Sequence, residues 1–294
     1  MKVHDSEVDR YALRSALSGT TLRATIAIIC FIWTLPTVGL FVSSFRSASA
    51  IRISGWWTAF ETPFEFTQWT LENYSQVITS VGLGNAFVNS LIVTIPATAI
   101  PITIAAFAAY AFAWMDFPGR ELFFTIVVAL TVAPIQMALI PVLRLHVASN
   151  LNGTFLGVWL AHTGFGIPMA VYLLYNFISQ IPRDLIEAAS IDGASHFQTF
   201  TTLVLRVSAP ALASFAVFQF IWVWNDLIVA LVFLGTRSSV ATVTAALSEL
   251  IGSRGQDWHL LTAGGFVSII LPMVVFFSLQ RFFVRGILAG SVKG

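Results

Sequence analysis

From Ala24 to Phe45, and again from Ala86 to Met115, the sequence carries no charged residue. At about 1.5 Å per residue, a helix of either length crosses the roughly 30 Å hydrocarbon core of a bilayer. Composition agrees. The 294 residues are 57% hydrophobic and 10% charged, with mean hydropathy +0.83, whereas a soluble domain carries about 25% charge. Water cannot solvate that much apolar surface, so the chain is expected to be an all-α integral membrane protein. A net charge of +1 offers no footing for nucleic acid. The lone cysteine, Cys30, cannot form an internal disulfide. The five histidines are scattered without metal-ligand spacing, so no metal site is expected.

Along the chain, residues 1–23 are polar and form an N-terminal segment. A first helix over Ala24–Phe45 is read as retained. The rival is a cleaved signal peptide ending at Ala48-Ser49-Ala50, and it is opposed by the length of the run and three preceding acids, Asp5, Glu7 and Asp9. An extramembrane loop follows, with Trp56, Trp57 and Trp69 at interfacial positions. Further helices are expected over Phe87–Ala113 (kinked by Pro96 and Pro101), Leu122–Leu143, Phe155–Ile178, Ser208–Leu234 and Leu260–Gln280. Arg144 falls in the loop after the third. The division is thus 1–23, a six-helix domain over 24–281, and a tail over 282–294.

Six spans place both termini on one side. If that side is the cytoplasm, the inner segments hold ten basic residues and the outer segments five. The bias predicts cytoplasmic termini. The polar interval Ser179–Val207, between spans four and five, then also faces the cytoplasm. Within it, Pro182 suits a first helical turn, Asp184 and Glu187 favour the positive end of a helix, and Leu185, Ala188 and Ala189 share one face. Gly193 suits a left-handed stop, and Ser195 with Gln198 forms a capping box for a second helix carrying Phe197, Phe200 and Leu203. The interval is a helix, a glycine turn and a helix.

If the chain pumps, its energy comes from elsewhere. A GxxxxGK[ST] phosphate loop needs a lysine, and the only lysines are Lys2 and Lys293. The expected spans hold one acid, Asp226, and one histidine, His162, a thin inventory for a proton relay. That inventory weighs against an ion-coupled transporter acting alone. The lack of a nucleophile–base or metal constellation weighs against an enzyme.

Glu187-Ala188-Ala189, three residues, then Gly193 resembles the "EAA" loop of permease subunits of binding-protein-dependent ABC importers. The tail Arg285–Gly294 looks like that of the maltose-type carbohydrate branch, as do Thr70-Leu71-Glu72-Asn73-Tyr74 and Trp224-Asn225-Asp226. One departure stands out. The family motif closes on I-x-L-P, and here Leu203-Val204-Leu205-Arg206 stands instead, with proline only at Pro210, so the second helix is expected to end differently. The resemblance implies a bacterial inner-membrane subunit paired with a second permease, two ATPase subunits and an extracytoplasmic solute-binding protein. ATP and Mg would sit on the ATPases, with no cofactor on this chain. Asp184, Glu187, Ala188, Ala189, Asp192 and Gly193 would seat in an ATPase cleft, and Ser291, Val292, Lys293 and Gly294 would reach between the ATPases.

For a sugar pathway, Gln219, Trp222 and Asp226 form one stripe at i, i+3, i+7, with Asn225 beside it and Gln136 on the third segment. The competing reading makes the tryptophans interfacial and lets Asn225 and Asp226 satisfy backbone. His162 is expected to be a hydrogen-bonded packing residue. The Trp224-Asn225-Asp226 stretch and the loop 248–258 look like permeases for α-glucosides or glucosylated polyols.

Overall fold

A computed structural model describes residues 3–251 and 257–291, with side chains for 19–251 and 257–280. Helix α1, Val3–Ser44, enters the polar N-terminal segment without a break. The loop after it folds into α2 (Ala48–Ile53), two 3-10 turns and α3 (Glu72–Thr79). Then come α4 (Leu83–Trp114), α5 (Arg120–Leu130), α6 (Ile135–Ala148) and α7 (Phe155–Ile178). The polar interval forms α8 (Arg183–Ile191), α9 (His196–Gln198), a π-helical stretch over Thr199–Val204 and α10 (Leu205–Val207). Helices α11 (Ala209–Trp224), α12 (Ile228–Phe233), α13 (Val243–Ile251) and α14 (Trp258–Ser291) complete the chain. Among the described residues the only β pairing is an isolated bridge, Arg46 to Trp69.

Four helices are long and apolar enough to cross a membrane alone, within Gly19–Ser44, Leu83–Trp114, Phe155–Ile178 and Trp258–Gln280. Two bent pairs raise the number to six if each is one span. The boundaries expected at residues 23 and 281 fall inside continuous helices, so they mark where polarity changes and not where helix ends.

The third and fifth segments differ from expectation. The third is two helices, α5 and α6, bent by 104°. Thr131, Val132 and Ala133 close the end of α5 with tight i→i+3 bonds, and Pro134, extended at ψ 127°, has no N–H to continue it. Pro96 and Pro101 lie inside the unbroken α4, which packs against both α7 and α11. The second half of the third segment also runs further than expected, so Arg144 and His146 belong to α6 and not to a loop. In the fifth segment helix begins at His196, bends by 73° at Ser208, and stops at Trp224. It does not run from Ser208 to Leu234. Pro210 occupies the first turn of α11, where its missing N–H costs nothing. Asn225 and Asp226 then lie in a break before α12.

The core is three apolar clusters strung along the bundle. One joins Ala105, Ala106, Ala109 and Tyr110 of α4 to Ala170, Val171, Leu174 and Ile178 of α7. The small alanine side chains let the two helix backbones approach closely. Ile181, Phe200 and Val204, which lie on either side of α8 within the polar interval, close the end of this cluster. A second, around Phe233 and Val158, packs α6, α7 and α12, and a third, around Leu83 and Trp224, packs α3, α4, α11 and α14.

Candidate functional site

Helix α8 stands clear of the bundle. Asp184, Glu187 and Ala188 are exposed, Ala189 is half-buried, and Leu185 is 42% and Ile191 86% exposed. Ile186 alone on this helix packs against the core below. Asp184 sits in the first turn. Glu187 is one turn further along, paired with Arg183 at 2.8 Å, with both side chains well solvated. Such an exposed pair contributes about 0–1 kcal/mol, so helix stability gives little reason for Glu187. Asp192 at the C-cap faces the negative end of the helix dipole, where an acid is unfavourable. Gly193 takes φ +77°, a left-handed conformation that other residues resist, and a Cβ there would meet nothing within 4 Å. Ser195 and Gln198 make the reciprocal capping box: Gln198 N–H donates to Ser195 Oγ (3.3 Å) and Ser195 N–H to Gln198 Oε1 (2.8 Å). Beyond it Phe197 is 65% exposed, while Phe200 is buried.

The proposed pathway residues divide. Gln219 is fully buried, donates from Nε2 to the Ala97 carbonyl (3.2 Å), and fills the space left by Gly166, where a Cβ would meet it at 2.8 Å. It ties α11 to α4 and α7 and has no open side. Trp222 is half-buried, and its ring stands edge-on to His162 at 5.5 Å. Asp226 works as a cap: its carboxylate accepts from the N–H groups of Val229 (3.3 Å) and Ala230 (2.9 Å) at the start of α12, and its carbonyl accepts from Thr244 (2.6 Å). Asn225 is exposed and donates to Ile221 O one turn back. Gln136 is exposed in the first turn of α6, next to Ile135, which packs on the same cluster as Trp222.

His162 departs from expectation. It is wholly buried, yet neither ring nitrogen has a hydrogen-bond partner. Asp226 Oδ2 lies 3.8 Å from Nε2, too far for a hydrogen bond. The reason is geometric: the carboxylate is held by the α12 cap and faces that helix start. The signal was present in the sequence, since a lone histidine and a lone acid within membrane segments tend to pair, but only the packing of α7 on α11 brings them together.

The Thr70–Tyr74 motif is a staple. Asn73 is buried and donates from Nδ2 to the carbonyls of Ser44 (2.9 Å) and Arg46 (2.8 Å), and Tyr74 Oη meets Ser44 Oγ at 2.7 Å. Arg46, also buried, donates to Gly55 O (2.6 Å) and Ser54 Oγ (2.8 Å), and burial pushes its guanidinium below the usual value. The tail residues Val292, Lys293 and Gly294, the side chain of Ser291, and residues 252–256 of the loop 248–258 lie outside the described residues.

Comparison with known proteins now bears on the whole chain. Residues 101–289 match the family described as the binding-protein-dependent transport system inner membrane component. The osmoprotective compounds uptake permease protein GgtD of Synechocystis is 61% identical over 92% of this chain and 91% of its own. The alpha-glucoside transport system permease protein AglG of Rhizobium meliloti is 39% identical over 92% and 96%. In fold, the chain is similar to a chain of a bacterial ABC transporter involved in the import of the acidic polysaccharide alginate, with TM-score 0.74 at 19% identity, covering 92% of this chain and 98% of that one. This chain therefore belongs to the family of inner-membrane permease components of binding-protein-dependent ABC transport systems, multi-pass and non-catalytic.

Proposed function

We propose that this permease forms half of the translocation pathway of an ATP-driven importer of α-glucosides or glucosylated polyols, and that Asp184, Glu187, Ala188, Ala189, Asp192 and Gly193 couple it to an ATPase subunit. The observation that carries the coupling is α8 itself. It is a nine-residue helix exposed on nearly every side and ended by a left-handed glycine; Glu187 adds at most about 1 kcal/mol to it through an exposed ion pair, and Asp192 at its C-cap opposes it. A helix this short is marginal in water, and a partner surface explains it. In this reading the termini and α8 face the cytoplasm. Ser291, Val292, Lys293 and Gly294 reach between two ATPases that carry ATP and Mg. A second permease completes the pathway, and an extracytoplasmic binding protein delivers the solute. The substrate class rests on the relatives named for osmoprotective compounds and alpha-glucosides. Gln136, Trp222, Asn225 and Asp226 are the groups offered to hydroxyls. Gln219 acts there only through helix packing.

The test is Gly193→Asp in the reconstituted complex with its binding protein. At φ +77° a side chain is strained and the new charge enters the docking face. ATP hydrolysis is expected to lose its dependence on binding protein, and uptake of labelled glucosylglycerol or an α-glucoside is expected to fall about tenfold, the scale of roughly 1.4 kcal/mol. Unchanged uptake would sink the coupling assignment, and transport by this chain alone would sink the partnership.

A further inference from the structure

Helix α8 meets the bundle through two stems, and both are hydrogen-bonded to one face of one helix. At the stem before it, Trp114 Nε1 of α4 donates to the Ile178 carbonyl at the end of α7 (3.0 Å). At the stem after it, Tyr110 Oη of α4 shares a hydrogen bond with His196 Nδ1 (3.1 Å), its direction set by the imidazole tautomer. Tyr110 and Trp114 are four residues apart, hence on the same side of α4. Tyr110 is buried and also packs on Phe200 (5.4 Å), which packs on Phe107 of the same helix as Tyr110 at 4.5 Å.

We infer that Tyr110 and Trp114 are positioning residues that bracket the two stems of α8, so that displacement of α8 is delivered to α4 and α7 as one rigid unit. This rests on the coupling role proposed for α8. Apolar contacts in this corner are non-directional and permit sliding, whereas the two hydrogen bonds fix both stems in register. Beneath them α4 and α7 are already joined along the alanine face. The fifth segment is joined differently. Downstream of His196 the chain passes through the π-helical stretch Thr199–Val204 and the 73° bend at Ser208, whose buried hydroxyl has no hydrogen-bond partner. π-stretches and bends are where a helix yields. The stems move with α4, and α11 follows through a compliant joint.

The experiment measures ATP hydrolysed per solute imported by the full complex in proteoliposomes, for Tyr110→Phe, Trp114→Phe and the double variant. Each change removes one polar atom set and keeps an aromatic ring. Each is expected to raise the ratio about threefold to fivefold, the scale of one net hydrogen bond, with the ATPases still co-purifying in wild-type proportion. A merely structural role would lower assembly and leave the ratio alone. His196→Gln, which keeps a donor and an acceptor, is expected to hold the wild-type ratio, and His196→Leu to raise it. Because His196 is exposed, its two variants test the second stem even if Trp114→Phe fails to assemble. A wild-type ratio in the assembled double variant, or equal ratios for His196→Gln and His196→Leu, overturns the bracket. Gly193→Asp separates the layers: if it uncouples and the bracket variants do not, the bracket alone falls; if it does not uncouple, the docking reading falls.

Discussion

His162 shows how a single residue can be chemically anomalous yet locally unremarkable. Its ring is sealed among apolar groups, with Trp222 on one side and Asp226 just out of reach. A buried polar group left unsatisfied costs about 1–3 kcal/mol, and replacing it by an apolar group of similar shape is often neutral or favourable. His162→Phe is therefore expected to leave the thermal stability of the detergent-solubilised complex unchanged or raise it by up to about 1 kcal/mol. Asp226→Ala removes two N–H acceptors from the start of α12 and is expected to cost about 0.5–2 kcal/mol. Melting curves of the two variants decide: a greater loss in His162→Phe would mean that the imidazole has a partner. The contrast with Gly193 is instructive about legibility. Gly193, Ser195 and Gln198 were readable from sequence because their conformations answer to neighbours within a few residues. The meeting of His162 with Asp226 depends on how α7 lies on α11, which no local rule fixes. The stripe expected for Gln219, Trp222 and Asp226 is broken for the same reason: the helix stops at Trp224, before Asp226, and Gln219 itself faces Gly166 and Ala97.

At the scale of elements, proline was the ambiguous letter. Pro96, Pro101, Pro141, Pro168 and Pro272 all sit inside continuous helices, while Pro134 ends one. The difference lies in surroundings, since neighbouring helices and local adjustments can re-satisfy freed backbone groups in a bilayer. Helix existence was legible from charge-free runs; the breaks at 131–134, 208 and 225–227 were not. The loop between α1 and α4 was legible only as polar and aromatic, yet it is a defined fold around one side chain. Asn73 closes two carbonyls at the end of α1. Removing it leaves both buried acceptors without this donor, at a cost of about 1–3 kcal/mol. Asn73→Ala is thus expected to loosen α2, α3 and the turns between them while α4 and α7 keep their packing. Limited proteolysis of membrane vesicles open to this loop should cleave near the exposed Glu61–Thr67 stretch several-fold faster than in the wild type. Equal cleavage rates would show that the loop is held by the Arg46 bonds instead.

Across the whole molecule, burial is lopsided. Half of the apolar stretch of α7 is inside the bundle, against 11% for α1 and 17% for α14. Helices α4, α7 and α11 form the interior, and α1, α5 and α14 turn apolar side chains outward. Orientation is the one global property that packing leaves open, because the fold is the same with either end up. It rests on charge: if each bent pair is one span, the sequence puts ten basic residues on the side of the termini and α8, and five on the other. Moving a short loop with few charges across the membrane is easy, and moving Lys/Arg-rich segments is not. That bias makes a sharp prediction for single-cysteine variants in a Cys30→Ala background. Thr67→Cys lies in the exposed loop between α1 and α4 and Ser190→Cys on exposed α8. A membrane-impermeant maleimide applied to intact spheroplasts should label Thr67→Cys fully and Ser190→Cys only after lysis. The reverse pattern would place α8 outside the cell, away from any source of ATP, and the coupling assignment and the bracket of Tyr110 and Trp114 would fall together. Labelling of both before lysis would instead mean that the bent α5–α6 pair re-enters the membrane without crossing it. An even number of crossings between the two positions would then replace the three counted from α4, the α5–α6 pair and α7.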